Sequence, residues 1–216
     1  MYVQGGCTMQ KSIKRYFPIF VLPTLIAFII AFLYPFIMGI YLSFTEFTTV
    51  KDATWVGISN YKKIFLDQNF LNALVFTVKF TIVSVVTINV FGFLMAYALT
   101  RGIKGTNLFR TVFFMPNLIG GIVLGYIWQL IINGLLLSAG VDITYDPKYG
   151  FWGLVVLMNW QMIGYMMIIY IAGLQNLPGD VLEAAEIDGA SPWQKLRRVT
   201  IPMVMPSITI CTFLTL

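Results

Sequence analysis

Four apolar stretches, each long enough to cross a lipid bilayer, leave this chain few folds to choose from. A hydrocarbon core about 30 Å thick takes roughly 20 apolar helical residues to span, and backbone inside it must satisfy its own hydrogen bonds. The first stretch runs from about Phe17 to Phe44, with Pro18, Pro23 and Pro35 inside it or at its edge. The second runs from about Thr81 to Leu99, the third from about Leu118 to Leu137, and the fourth from about Trp152 to Leu174. From Met203 the chain turns apolar again and reaches Leu216 after about 14 residues, too few for a comfortable span. The expectation is an all-α polytopic transmembrane helical bundle with four full spans and a truncated fifth, incomplete at its C-terminus. Met9-Gln10-Lys11-Ser12 resembles an ordinary N-terminus and is an alternative start.

Composition agrees. Of 216 residues, 58% are hydrophobic and 11% charged, and mean hydropathy is +0.82, values typical of an integral membrane protein. His is absent, and the two cysteines, Cys7 in a polar tail and Cys211 in an apolar stretch, suggest no disulfide framework. No apolar signal region precedes Gly5-Gly6-Cys7, which excludes a lipoprotein cleavage site. No cluster for metal binding and no catalytic acid or base stands out, which argues against an intramembrane enzyme. The net charge of +5 is concentrated beside the apolar segments. That placement indicates membrane orientation and contact with membrane lipid, not nucleic-acid binding.

Basic residues set the orientation. Lys11, Lys14 and Arg15 precede the first span and put residues 1–16 in the cytoplasm as a tail. Arg101, Lys104 and Arg110 mark the connection between the second and third spans as cytoplasmic, and Lys195, Arg197 and Arg198 do the same for 175–202. The loop from Asp142 to Lys148 carries one Lys and two Asp and faces out. The loop from Thr45 to Phe70 is ambiguous by charge, since Lys51, Lys62 and Lys63 are offset by Glu46, Asp52 and Asp67. Parity of four spans places it outside.

The cytoplasmic 175–202 segment is polar and carries a dense set of helix signals. Asp180 followed by Glu183 fits a capping box opening a short helix, and Gly189 stands where a helix end wants positive φ. Ser191-Pro192-Trp193-Gln194 restarts a helix with Ser as N-cap, Pro at the first position and Gln closing the box. Arg197 and Arg198 suit the negative end of that second helix, and Pro202 is expected to help stop it. Two capped helices joined by a tight turn form a rigid knob on the membrane surface.

The run Glu183-Ala184-Ala185-x2-Asp188-Gly189-Ala190-x10-Ile201-Pro202-x3-Pro206 resembles the cytoplasmic coupling loop of permease subunits of binding-protein-dependent ATP-binding-cassette importers. Leu196 stands where that family usually has Phe, and Ile201 where it often has Leu; both keep the position apolar. The outer segment Trp55-Val56-Gly57-Ile58-Ser59-Asn60-Tyr61, with Phe70, Ala73, Leu74 and Thr77, is similar to the carbohydrate-uptake (maltose and glycerol-phosphate type) branch. So are Tyr34-Pro35-Phe36 with Ser43-Phe44, and Arg110-Thr111-Val112-Phe113-Phe114 with Pro116 and Trp128, while Phe76 replaces a frequent Asn. The resemblance covers about residue 17 to the end. It implies a transmembrane domain over 17–216 whose loop 175–202 couples to an ATPase through Glu183, Ala184, Ala185, Asp188, Gly189, Ala190, Ile201 and Pro202. It also implies a second permease subunit, two cytoplasmic ATPase subunits and an extracytoplasmic solute-binding protein.

Absences bear on energy supply. No acidic residue and no His falls within the four spans, whereas ion-coupled carriers usually place one there. Lys79 lies just before the second span, within snorkelling reach of the outer headgroups. The chain has no nucleotide-binding G-x-x-x-x-G-K-[ST] loop, so it binds no nucleotide cofactor and ATP is used by a partner.

Within the spans, Asn159 and Gln161 are polar enough to line a solute path or to bond between helices, and Asn89 and Gln129 allow the same two readings. Trp160, Tyr165 and Tyr170 suit stacking on a sugar ring, packing in the core, or the aromatic belt. Gly121-x-x-x-Gly125, with Gly120 beside it, points to close helix packing inside the chain or against another subunit. The reading is a bacterial-type inner-membrane permease subunit importing a sugar or related polyhydroxy solute, itself not an enzyme. A permease of this class for a non-carbohydrate solute, a secondary carrier and a membrane scaffold are the alternatives.

Overall fold

The computed structural model describes residues 5–136, 140, 142, 143 and 146–216, with side chains from Tyr16 onward. The side chains of Cys7, Lys11, Lys14 and Arg15, the Leu137 end of the third stretch, and Thr144 and Tyr145 of the outer loop lie outside the described residues. The chain forms two compact units, one up to Ala73 and one from Leu74 onward.

In the first unit, α1 (Gly5–Phe28) runs through a π turn, Ile29–Leu33, into α2 (Tyr34–Ser43). The Tyr34 amide donates to the Ile29 carbonyl, five residues back. Pro35 explains this widened turn, because its ring crowds the carbonyl four residues earlier and it has no amide to donate. After the helix, β1 (Thr45–Glu46) pairs antiparallel with β2 (Thr54–Trp55), with Thr45 opposite Trp55. The Asn60 side-chain amide, on α3 (Ser59–Leu66), donates to the carbonyls of Ser43 and Thr45 at 3.1 and 2.8 Å. Tyr61 hydroxyl donates to Ser43 Oγ at 2.7 Å, and the Phe44 ring lies 5.5 Å from both Trp55 and Tyr61. The Trp55–Tyr61 motif is thus a clasp on the end of α2, with Gly57 at φ +59° making its turn.

The second unit is organised by α4 (Gln68–Leu99) and α7 (Pro147–Gln175). Their contacts rise together in number. Phe76 meets Phe151 at 5.6 Å, Asn159 bonds Thr87, and Phe93 meets Tyr170 at 5.5 Å. The two helices are therefore parallel, and the intervening chain must return from one end to the other. That return is α5 (Thr106–Phe114), a 3₁₀ turn at Met115–Leu118 and α6 (Gly121–Leu136). It runs antiparallel to α7, with Asn117 bonding Met162 Sδ, Trp128 5.4 Å from Trp160, and Ile132 against Gly153. Beyond α7, the segment 175–203 lies at the end where α4 also finishes. Then α11 (Met205–Thr215) turns back along α7, with Ser207 against Gly173 and Cys211 Sγ 3.9 Å from Met166 O.

Among the described residues, three helices, Tyr16–Ser43, Gln68–Leu99 and Pro147–Gln175, are long and apolar enough to cross a membrane singly. Two bent pairs raise the number to five if each is one span: Thr106–Leu118 with Gly121–Leu136 at 101°, and Pro192–Met203 with Met205–Thr215 at 68°. The expected third span from about Leu118 is therefore a bent element whose straight part begins at Gly121. The second helix starts at Gln68, not Thr81, because Asp67 caps it by accepting from the Asn69 amide at 2.8 Å. Lys79 consequently lies inside α4. A 32-residue helix is about 48 Å long against a core of about 30 Å, which leaves slack to hold this exposed side chain near headgroups.

Glycine supplies the close approaches, though not at the expected place. A Cβ on Gly120, Gly121 or Gly125 would meet no atom within 4 Å, so among the described residues the G-x-x-x-G face has no partner inside the chain. A Cβ on Gly164 would lie 1.7 Å from the Phe113 carbonyl oxygen, and one on Gly92 3.2 Å from Met166 Cβ. We expect Gly164→Ala to force α5 off α7, at a cost of about 1–3 kcal/mol, read as a lower unfolding midpoint of the detergent-extracted protein. Gly121→Ala should leave that midpoint unchanged. Equal midpoints would show that the α5–α7 approach is not needed for stability.

Candidate coupling and transport site

The surface knob is built from α8 (Gly179–Ile187) and α9 (Pro192–Lys195). The Asp188 amide still reaches the Ala184 carbonyl at 3.0 Å, so Asp188 closes the first helix. The Gly189 amide donates to Glu186 O and the Ala190 amide to Ala185 O, both at 3.0 Å. These two bonds, with Gly189 at φ +74°, form a Schellman cap that satisfies carbonyls the helix end would leave bare. One residue later the capping box closes. Ser191 Oγ accepts from the Gln194 amide at 3.3 Å, and Gln194 Oε1 accepts from the Ser191 amide at 2.8 Å. A salt bridge between Lys195 and Glu186 ties the second helix back to the first.

Two expected details are corrected. Asp180 does not cap α8, since the cap position is Pro178 and no side chain bonds there. Proline, with its fixed extended backbone, starts the helix earlier and puts Asp180 in the first turn, where its charge still suits the positive helix end. Nor does Pro202 stop the second helix. A π turn, Leu196–Thr200, leads into α10 (Ile201–Met203), with the Ile201 amide donating to Leu196 O. The extra residue accommodates Pro202 as the equivalent turn accommodates Pro35. The helix breaks instead at Val204, and Arg197 and Arg198 are exposed on its middle.

Glu183, Ala184, Asp188 and Gly189 are exposed, and Ala185 and Ala190 are half-buried. Ile201 is half-buried and Pro202 exposed where the second helix rejoins the membrane part. The two alanines give the outer face of α8 a low profile, and Glu183 and Asp188 give it negative charge. This shape suits insertion into a groove.

The four residues expected on a solute path face different neighbours, because successive helical side chains point about 100° apart. Asn159 turns to α4, donating to Thr87 Oγ1 at 2.9 Å and to the Val155 carbonyl at 2.8 Å. Trp160, 41% exposed, packs against Trp128 of α6 with the rings tilted by 59°. Tyr165 is half-buried beside Phe114, 6.4 Å between rings, and Gln161 is half-buried. A polar row runs through α4, α7 and α11; the sequence marked its Asn89, Asn159 and Tyr170 but not the partners they bond. Tyr170 hydroxyl donates to Asn89 Oδ1 at 2.7 Å, and Asn89 Nδ2 donates to Thr215 Oγ1 at 2.9 Å. Buried Ser84 Oγ and Asn159 Oδ1 have no partner among the described residues. The available signal was Ser84 and Thr87, one helical turn apart and close to Asn89 on a helix that also carries Lys79 and Thr81. Among the described residues, no group of three or more His, Cys, Asp or Glu is placed to hold a metal.

A family profile described as binding-protein-dependent transport system inner membrane component matches residues 88–216. A probable starch degradation products transport system permease protein of Thermoanaerobacterium thermosulfurigenes is 42% identical over 207 residues, covering 92% of this chain and 70% of that protein. A multiple sugar-binding transport system permease protein of Streptococcus mutans is 30% identical, covering 94% and 73%. A probable ABC transporter permease protein of Bacillus subtilis is 33% identical, covering 88% and 65%. The chain thus spans about two thirds of the length of such relatives. The crystal structure of a bacterial ABC transporter importing the acidic polysaccharide alginate has the same fold, with a TM-score of 0.77 at 22% identity. That match covers 96% of this chain and 75% of the solved one.

The caps make a local prediction. Ser191→Ala removes the capping box and should cost about 1 kcal/mol at the start of α9. Hydrogen exchange of the Gln194 amide should then speed up roughly fivefold. Asp180→Ala removes no cap and should change exchange in α8 less. The opposite ranking would mean that the observed caps do not hold the knob.

Proposed function

The chain belongs to the inner-membrane component family of binding-protein-dependent transport systems, and from that premise we propose that it is the membrane-spanning subunit of an ATP-driven importer. The solute is a sugar or related polyhydroxy compound. Relatives named for starch degradation products and multiple sugars support this class. The observation that carries the mechanism is the doubly capped α8–α9 knob, set where α4 and α7 both end. A partner ATPase holds the knob through Glu183, Ala184, Ala185, Asp188, Gly189 and Ala190, and hydrolyses the ATP. Ile201 and Pro202 carry the movement along the helical run Pro192–Met203 to the 68° bend before α11, and α7 carries it from the other side across the short 176–178 connection.

Around this subunit stand a second permease subunit, two ATPase subunits and an outer solute-binding protein. A solved bacterial alginate ABC transporter in complex with an alginate pentasaccharide-bound periplasmic protein, a chain of which shares this fold with a TM-score of 0.75, supports the outer binding-protein partner. The knob and the α4 end carry Arg101, Lys104, Lys195, Arg197 and Arg198, so by the positive-inside rule they face the cytoplasm. Residues 1–16 lie on the same side as a tail, 17–216 form the transmembrane domain, and 175–202 is its coupling loop. The solute path runs beside Asn159, Trp160, Gln161 and Tyr165.

Two experiments test this. In the full-length complex, Gly189→Val forces a β-branched residue into positive φ, straining the turn by about 1–3 kcal/mol. ATPase assembly should weaken roughly tenfold, with lower solute-stimulated hydrolysis, normal membrane insertion and unchanged solute capture by the binding protein. Normal oligosaccharide uptake by both Gly189→Val and Glu183→Ala would remove the knob as the coupling element. For orientation, single cysteines at Ser59 and Ser191 in a cysteine-free background meet an impermeant thiol reagent on permeabilised-outer-membrane cells. Ser59→Cys should label and Ser191→Cys should not; the reverse result overturns the orientation.

A further inference from the structure

Behind the knob lies a cavity of about 430 Å³, walled by the ends of α4 and α7 and by both knob helices. Two cations from distant parts of the sequence, Arg101 and Lys195, line it, and no carboxylate does. Arg101 is held in place locally. Its guanidinium carbon lies 4.4 Å above the Tyr97 ring, and Nη2 donates to the Tyr97 hydroxyl. A guanidinium has five N–H donors, so most of this fork is free for a ligand. Tyr97 hydroxyl accepts that bond, which leaves its own proton to give. Thr200, only 5% exposed, also lines the cavity. Apart from Thr100, the remaining wall is apolar, made by Leu174, Leu177, Leu182 and Pro192.

We propose that this cavity binds a phosphate group, supplied by the headgroup of an anionic inner-leaflet lipid. Three features fit. A planar guanidinium held over the Tyr97 ring matches phosphate geometry, and the ammonium of Lys195, lining the same cavity, can add a second charge-assisted bond. The Tyr97 hydroxyl supplies a neutral donor. The leucine wall, Leu174, Leu177 and Leu182, offers an apolar surface for the start of an acyl chain beside the cations. The helix ends of α4 and α7 contribute partial negative charge, which the two cations oppose.

A consequence follows for the knob. Lys195 also pairs with Glu186, so a phosphate drawn to Lys195 competes with the bridge between α9 and α8. Lipid occupancy therefore loosens the brace of the coupling element. The binding step itself does not rest on the transport reading, and its test is separate from transport.

The full-length chain, assembled with its partner subunits in detergent, is titrated with phosphatidylglycerol and with phosphatidylcholine. Native mass spectrometry counts retained lipid. One saturable site should appear with phosphatidylglycerol and not with phosphatidylcholine. Arg101→Gln should weaken it about tenfold through loss of a charge-assisted bond, and Arg101→Lys should recover part of the loss. Should Arg101→Gln fail to assemble, Lys195→Gln takes its place with the same expectation. Inorganic phosphate is added as a competitor. If it saturates the site as tightly as phosphatidylglycerol does, soluble phosphate is the ligand and the lipid source is overturned. Equal phosphatidylglycerol affinity in the wild type and an assembled charge-removing variant overturns the site.

Discussion

The parallel contact between α4 and α7 governs the second unit. In lipid there is no hydrophobic gain from bringing two helices together, so close packing and interhelical hydrogen bonds must do it. Both are present here. Gly92 lets the backbones approach, Met166 and Met167 are fully buried, and Asn159–Thr87 and Tyr170–Asn89 bond across the seam. Each such bond contributes only about 0.6 kcal/mol on average, so packing along the length of the seam carries most of the association. Everything functional is positioned by this pair. Because the helices are parallel, their ends coincide, and the segment leaving α7 lies beside Arg101 at the end of α4.

Rigidity at the knob comes from a different source. In water a nine-residue helix is too short to persist on its own. Its ends are therefore secured one after the other, by the Schellman bonds at Gly189 and the capping box at Ser191, with the Lys195–Glu186 bridge across them. A short element held at its turn transmits displacement, whereas a fraying one would absorb it.

Proline plays an unexpected part twice. At Tyr34-Pro35 and Ile201-Pro202 the preceding turn widens to π, and the helix continues. The cost of a missing amide is spread over one extra residue, and the axis keeps its direction through the proline. At the second site this keeps the knob joined to Met203 as one helical element, and the bend is moved to Val204.

How much of this was legible beforehand divides by physical range. Local chemistry determined the class and the knob. Long apolar runs demanded membrane helices, and Gly189 and Ser191-Pro192-x-Gln194 announced their caps because cap geometry depends on a few consecutive residues. Even where hydropathy misplaced the start of α4, Asp67 carried the signal. Tertiary structure alone decided which polar side chains face one another. Nothing near Asn159 or Asn89 in the sequence reveals Thr87, Tyr170 or Thr215 as partners, since those contacts depend on the register of packed helices. The same holds for the glycines. Gly121-x-x-x-Gly125 has the recognised spacing yet meets nothing in the chain, while Gly164, isolated in the sequence, takes the Phe113 carbonyl against its backbone. Arg101 and Lys195, far apart in the chain, share one cavity only because α4 and α7 are parallel and end together.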